Sequence, residues 1–178
     1  MAIPGNIEAQ HRQPAAGEIV KPIADLDNDL CRVELKLMQN ALVSAAASVG
    51  DLKDLDYLDD VHLGRSLLWG PQGTRFSLWA FRWKPGAVTP VHDHHCACAF
   101  IVQQGFIEER MYARSDRNCV AETGRVLRGP GEMRALSLNS AYIHSMHNLT
   151  DVEAYSIHLY AFDPAREHSS VRNSFEPM

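Results

Sequence analysis

The sequence lacks the features that mark secreted scaffolds, membrane spans and nucleic-acid binders. Its 178 residues hold four cysteines, Cys31, Cys96, Cys98 and Cys119, and no C-x-x-C pair. That spacing argues against a cysteine-built zinc site and a disulfide framework, and favours free thiols in a reducing compartment. No apolar run approaches the roughly 18–20 residues that cross a bilayer; the best stretch, Ala41 to Val49, is short and rich in small residues. The first twenty residues have no basic segment followed by an apolar one, as a secretory leader requires, so a cytoplasmic location is expected. Basic charge is also scarce: 17 Lys and Arg against 22 Asp and Glu give a net charge of -5. Such a balance supplies no field for binding nucleic acid or an anionic membrane.

What is present is an ordinary globular composition, 46% hydrophobic and 22% charged, at a length that suits one domain with a sizeable core. Residues 1–22, with three prolines and no sustained periodicity, read as an N-terminal arm. Residues 23–178 read as a single domain whose helices occupy about 23–60. In the first helix, Leu26, Leu30, Val33, Leu37, Met38, Ala41 and Ala45 recur mostly at three- and four-residue spacing between Ala24 and Val49. A shorter helix is expected from Leu52 to Leu58. Beyond Val61 come short runs divided by Gly, Pro, Asn or Asp: Ser66–Trp69, Arg75–Trp83, Cys98–Gln103, Ile107–Ala113, Arg125–Arg128, Ala135–Leu138 and Glu153–Phe162. This texture predicts a mainly β fold, a sandwich or barrel preceded by an N-terminal helical layer.

Within the β region, His92 and His94 stand two residues apart in GAVTPVHDHHCACAFIVQQG. On a strand, residues i and i+2 share a face, so both imidazoles can meet one ion from one side. His144 follows in AYIHSMHN, on another strand or at its mouth. Three imidazoles suit zinc, copper, iron or nickel, so ligand type alone does not choose the metal. Nine histidines make one chance H-x-H pair unremarkable, and the surrounding pattern carries the argument. Gly86, five residues, His92-x-His94 and a closing Gly105 resemble the first motif of the cupin superfamily. Gly124, five residues, Pro130, then His144 and Asn148 resemble the second. The expected fold is therefore a cupin-type, jelly-roll-like β-barrel, with the glycines and proline in turns.

The span from about Gly64 to Phe162 further resembles the cysteine dioxygenase type I family of thiol dioxygenases. That resemblance implies Fe(II) held by His92, His94 and His144 with no carboxylate ligand. Where the usual cupin pattern has a glutamate seven residues before the closing glycine, this chain has Cys98. Mammalian-type members join that cysteine to a tyrosine of the site by a thioether, which makes Cys98 and Tyr160 the candidate pair. Strand parity from 92 to 98 agrees, unless a bulge follows His94. Ser156, His158 and Tyr160 alternate with period two in SIHLY and correspond to the family's hydrogen-bonded relay beside the iron. Arg65 corresponds to its carboxylate clamp, a task that suits a planar guanidinium; Arg75, Arg82 and Arg134 are rival clamps.

Three departures border the pocket: Leu63 stands where mammalian members have a tyrosine, Ala161-Phe162 replaces their Ser-Pro step, and His147 replaces an acidic residue. The resemblance implies conversion of a small thiol carboxylate, with L-cysteine first in line, and dioxygen to a sulfinic acid. 3-Mercaptopropionate or mercaptosuccinate is the alternative substrate, and a non-enzymatic metal-binding cupin the second alternative. The expected partners are the small thiol and O2, in a monomer or small homo-oligomer.

Overall fold

The computed structural model describes residues 16–59, 62–115, 119–138 and 141–178. Two compact units divide the chain, residues 1–33 and 34–178. Helix α1 runs over Ala16–Ser48 and so begins eight residues before the predicted Ala24; residues 1–15 of the expected arm lie outside the described residues. The expected helical layer is this one long helix, because Leu52–Asp54 forms only a single 3-10 turn. Asp51 caps that turn by accepting from the Lys53 N–H, and Leu52 is its buried residue. Leu58, the predicted end of a second helix, instead opens strand β1, Leu58–Asp59.

Ten further strands follow: β2 Leu63–Trp69, β3 Ser77–Trp83, β4 Val91–His94, β5 Cys98–Gln104, β6 Ile107–Arg114, β7 Cys119–Arg128, β8 Met133–Leu136, β9 Ile143–His147, β10 Ala154–Tyr160 and β11 Val171–Pro177. They form two sheets. One has the order β1-β2-β3-β10-β5-β8, and the other, β11-β4-β9-β6-β7, closes on itself through the parallel pairing of β11 with β7. The expectation of a mainly β, cupin-type fold is met, in the form of two sheets. Strand β11 had no counterpart among the predicted runs, because VRNSFEP has only Phe175 buried and carries no apolar alternation. Backbone pairing with β4 holds it, together with the buried Asp93 carboxylate, which accepts from the Asn173 N–H at 2.8 Å and from its side-chain amide.

From Glu34 onward, α1 places Met38 and Leu42 in a core with Ala80, Ala99 and Ile157 of the first sheet. The predicted helix face is displaced around the axis, since Leu37 is 63% exposed and Leu42 fully buried. A second core beneath the same sheet joins Trp83, Phe100, Val102, Ile107 and Met146. Burial of such side chains stabilises the fold by about 1.5–3 kcal/mol each.

The motif residues divide by role. Gly86 and Gly105 lie in turns with φ of 77° and 73°, the left-handed region that favours glycine. Gly124 is not in a turn: it sits within β7 opposite Met111, where the β6–β7 register shifts, and a Cβ there would meet the Met111 side chain at 3.2 Å. Asn148 is wholly buried and acts as a clamp. Its side-chain amide donates to the carbonyls of Trp83 and Val152 at 2.8 Å each, and its backbone carbonyl receives the Gly86 N–H.

The two positive-φ glycines differ in their surroundings. A Cβ on Gly105 would lie 2.8 Å from the Ala154 Cα, whereas nothing lies within 4 Å of one on Gly86. Gly86→Ala should therefore cost about 1 kcal/mol from backbone strain alone, and Gly105→Ala roughly 2–4 kcal/mol. Urea unfolding of both variants measures the difference; equal midpoints would contradict it.

Candidate metal centre

Strands β4 and β9 pair antiparallel with His92 directly opposite His144, and the two-residue step along β4 brings His94 to the same face. One ligand atom from each of the three lies within 4.8 Å of the others. His92 and His144 are buried, at 6% and 2% exposure. His92 and His94, joined by spacing, and His144, joined through the second motif, thus form one cluster.

The tautomers of His92 and His144 follow from what lies behind each ring, whereas His94 Nδ1 is buried with no hydrogen-bond partner among the described residues. His92 Nδ1–H donates to the Pro90 carbonyl at 2.8 Å, and His144 Nδ1–H to the Glu109 carboxylate at 3.0 Å, which leaves both Nε2 lone pairs facing inward. Nε2 of His94 lies 2.9 Å from that of His144. Two such lone pairs repel unless a proton or cation stands between them. Burial, with His144 as the next cause, lowers the His92 pKa to about 4, and His94 is lowered further for the same reasons. Neutral, converging imidazoles are what a divalent transition metal requires of its ligands. The donor set fits one metal ion with positions left open.

Sequence reading missed the support behind His144. Glu109 is fully buried, and its carboxylate receives the Arg128 Nε–H at 2.7 Å, the Tyr142 hydroxyl at 2.9 Å and the His144 N–H. Burial alone would raise its pKa. The hydrogen bond from His144 and the Arg128 guanidinium outweigh burial and hold it at about 2. A carboxylate behind a ligating imidazole fixes ring orientation and raises ligand basicity. One signal was available: Glu109 is in phase with Ile107 along β6, so a charge falls on the inward face.

Beside the imidazoles lies a cavity of about 50 Å³ lined by His92, His94, His144, Cys98, His158 and Tyr160 together with apolar walls. Ser156, His158 and Tyr160, alternate residues of β10, form a hydrogen-bonded chain. Ser156 Oγ is 2.8 Å from His158 Nε2, and Tyr160 Oη is 3.1 Å from His158 Nδ1. Burial lowers His158 to about 3 and raises Tyr160 far above its usual range. His158 packs face to face with Phe100, ring centroids 5.3 Å apart, which holds the imidazole in its plane.

Cys98 stands directly opposite Tyr160 in the β5–β10 register, and both belong to one buried cluster. Parity counted from His92 is not the reason. The chain leaves one sheet after His94 and enters the other at Cys98, so no continuous strand links the two positions. Burial pushes the Cys98 thiol well above its ordinary pKa.

An outer pocket of about 520 Å³ shares Leu63, Phe81, Thr89, His92 and Tyr160 with the inner cavity, and Arg65 lines it. One Arg65 N–H donates to the His168 carbonyl at 3.1 Å, so the guanidinium is anchored at the pocket wall. The rival arginines lie elsewhere. Arg75 pairs with Glu34, Arg82 lies over Tyr57 and Arg134 over Tyr142, and none of them lines either cavity. Leu63 borders both cavities where the resembled enzymes carry a tyrosine, and Phe162 lines the outer one. His147 is not at the site: it bonds to Ser145, whose hydroxyl contacts Tyr112.

The model of the family described as cysteine dioxygenase type I matches residues 19–169. Among solved structures, the chain is similar to a Cupin 2 conserved barrel domain protein from Salinispora arenicola, at 20% identity over 66% of this chain and 90% of that one, TM-score 0.47. It is also similar to the cupin domain of Schizosaccharomyces pombe Cnp3, at 16% identity over 67% and 72%, TM-score 0.49. An oxalate decarboxylase variant from Bacillus subtilis gives 16% identity and TM-score 0.51, over 69% of this chain and 31% of that one. At these identities the likeness is one of fold.

Glu109→Ala should weaken divalent-metal binding by about 10–100-fold, because His144 loses the carboxylate that orients it. Glu108, its neighbour in sequence, pairs with Arg110, and Glu108→Ala should leave affinity unchanged. Competition titration with a chromophoric chelator measures both; equal affinities for the two variants would contradict the assignment.

Proposed function

Because the chain belongs to the cysteine dioxygenase type I family, we propose that it is an Fe(II)-dependent dioxygenase of small thiol carboxylates, with L-cysteine the leading substrate. The observation that carries this reading is the cluster of three converging imidazoles, with no carboxylate in it among the described residues, on an inner cavity that shares His92 with the outer pocket lined by Arg65. Iron, when held by His92, His94 and His144, supplies a common site for thiolate and dioxygen, and the means to move electrons between them.

The side chains around that site divide the remaining work. Arg65 pairs with the substrate carboxylate through the guanidinium N–H groups not spent on His168, which aims the thiol at the imidazoles. Phe81, Trp83, Phe100 and Met146 keep the inner cavity dry, so each polar contact there counts for more than in water. His158, held neutral by burial, anchors the Tyr160 hydroxyl, which hydrogen-bonds to the reacting groups and favours productive geometry. Overall, R–S⁻ and O2 combine to R–SO2⁻: the sulfur is oxidised, the dioxygen is reduced, and both oxygen atoms end on sulfur. A Cys98–Tyr160 thioether belongs to the same reading, supported by their facing positions. Forming it would join Cys98 Sγ to a ring carbon of Tyr160 as the S–H and C–H bonds break, with dioxygen as the two-electron acceptor, and would lower the intact mass by a pair of hydrogens.

A second reading takes 3-mercaptopropionate or mercaptosuccinate as the thiol. It is favoured by one observation: neither cavity has an Asp or Glu among its described lining residues to receive an amino group, and Leu63 adds no hydroxyl. Oxygen uptake by the Fe(II)-loaded protein against cysteine, cysteamine, 3-mercaptopropionate and mercaptosuccinate separates the two. The acids should be consumed and cysteamine, which lacks a carboxylate, should not. Arg65→Ala should raise KM by about 10–100-fold, the worth of a charge-assisted pair. His144→Ala should lose iron and oxygen uptake together. No uptake with any thiol would overturn the proposal in favour of a non-enzymatic metal-binding cupin.

A further inference from the structure

The Ser156–His158–Tyr160 chain has two possible directions, and the residue behind it selects one. Trp83 on β3 is 1% exposed and diagonal to Ser156, whose direct partner across the β3–β10 pair is Phe81. Its indole Nε1–H lies 2.8 Å from Ser156 Oγ. An indole nitrogen donates and never accepts, so Ser156 Oγ is the acceptor in this contact. The serine hydroxyl hydrogen must then go elsewhere. Ser156 is fully buried, and its other hydrogen-bond neighbour among the described side-chain contacts is His158 Nε2, at 2.8 Å.

If the serine donates to Nε2, the neutral imidazole carries its own proton on Nδ1. That N–H donates to Tyr160 Oη, 3.1 Å away, and the phenol hydrogen faces away from His158. Tyr160 lines the outer pocket together with Ser170, whose hydroxyl is its other hydrogen-bond neighbour. In the reverse arrangement Nε2–H would donate to Ser156, and the tyrosine would spend its hydrogen on Nδ1. The serine hydrogen would then be buried without an acceptor, which costs about 1–3 kcal/mol.

We infer that Trp83 is a positioning residue: its indole N–H sets the direction of the whole chain, so that Tyr160 presents a hydrogen-bond donor to the bound thiol and dioxygen. The inference rests on the proposed thiol dioxygenase site for its functional meaning. The direction itself rests only on the four side chains.

The test uses the full chain, labelled with ¹⁵N at histidine and loaded with zinc, which is diamagnetic and accepts three imidazoles. Long-range proton–nitrogen spectra read the tautomer of His158 directly. The wild type should hold the proton on Nδ1 in a ratio of about ten to one or more, and Trp83→Phe should bring the two tautomers near parity. Benzothienylalanine at position 83 keeps the bicyclic shape without the N–H and should do the same if Trp83→Phe packs poorly. In the iron-loaded protein, both replacements should lower kcat about tenfold and leave KM unchanged. Ser156→Ala should abolish the further effect of Trp83→Phe.

A wild-type His158 protonated on Nε2, or a tautomer ratio unmoved by either replacement, would overturn the inference. So would a loss of thermal stability alone, with tautomer and kcat unchanged. A tautomer that responds as expected in a protein that oxidises no thiol would uphold the direction of the chain while removing the proposed function. Thiol oxidation with an unresponsive tautomer would do the reverse.

Discussion

Three imidazole nitrogens pointing at one another inside a protein are a constraint that the rest of the molecule has to satisfy. His94 and His144 bring their Nε2 atoms to 2.9 Å, and because the His144 proton is committed to Glu109 this contact needs either a proton on His94 Nε2 or a cation between the two rings. Such an arrangement persists only where the backbone and the groups behind each ring hold it. The direct opposition of His92 and His144 across β4 and β9 supplies the backbone part. The Pro90 carbonyl holds His92 and the Glu109 carboxylate holds His144, and the Arg128 guanidinium compensates the Glu109 charge. The metal is the group that converts this crowding into an attraction.

Dryness links the metal centre to the chemistry proposed for it. The cluster of Trp83, Phe100, Val102, Ile107 and Met146 is a stabilising core, and Trp83, Phe100 and Met146 of it also wall the inner cavity. In such surroundings an unmade hydrogen bond costs more than at the surface. That is why the chain from Trp83 to Tyr160 can have a definite direction. In water, the same four groups would exchange partners freely.

The legibility of the site in the sequence followed sequence distance. A two-residue period put His92 and His94 on one face, and likewise Ser156, His158 and Tyr160, but the cupin motif and the family resemblance gave the two groups their expected roles. His144 is fifty residues from His94 and was reached through a motif, as was Arg65 through family resemblance. Glu109, Arg128, Tyr142 and Trp83 were not reached, since their roles arise from pairing of β6 with β7 and β9, and of β3 with β10. Local patterns do not encode which strands pair. The misjudged helix face has a related cause. Apolar residues occur on several sides of α1, and only tertiary packing selects Met38 and Leu42 over Leu37. Strand β11 is held by backbone pairing and Asp93, and its side chains carry little trace of that.

The account stands or falls on the fate of dioxygen. Iron-loaded protein supplied with the best thiol of the panel under ¹⁸O2 should yield a sulfinate in which both sulfur-bound oxygens carry the label, as mass spectrometry of the product would read. A sulfinate with one labelled oxygen or none, or label found only in water or peroxide, would contradict it.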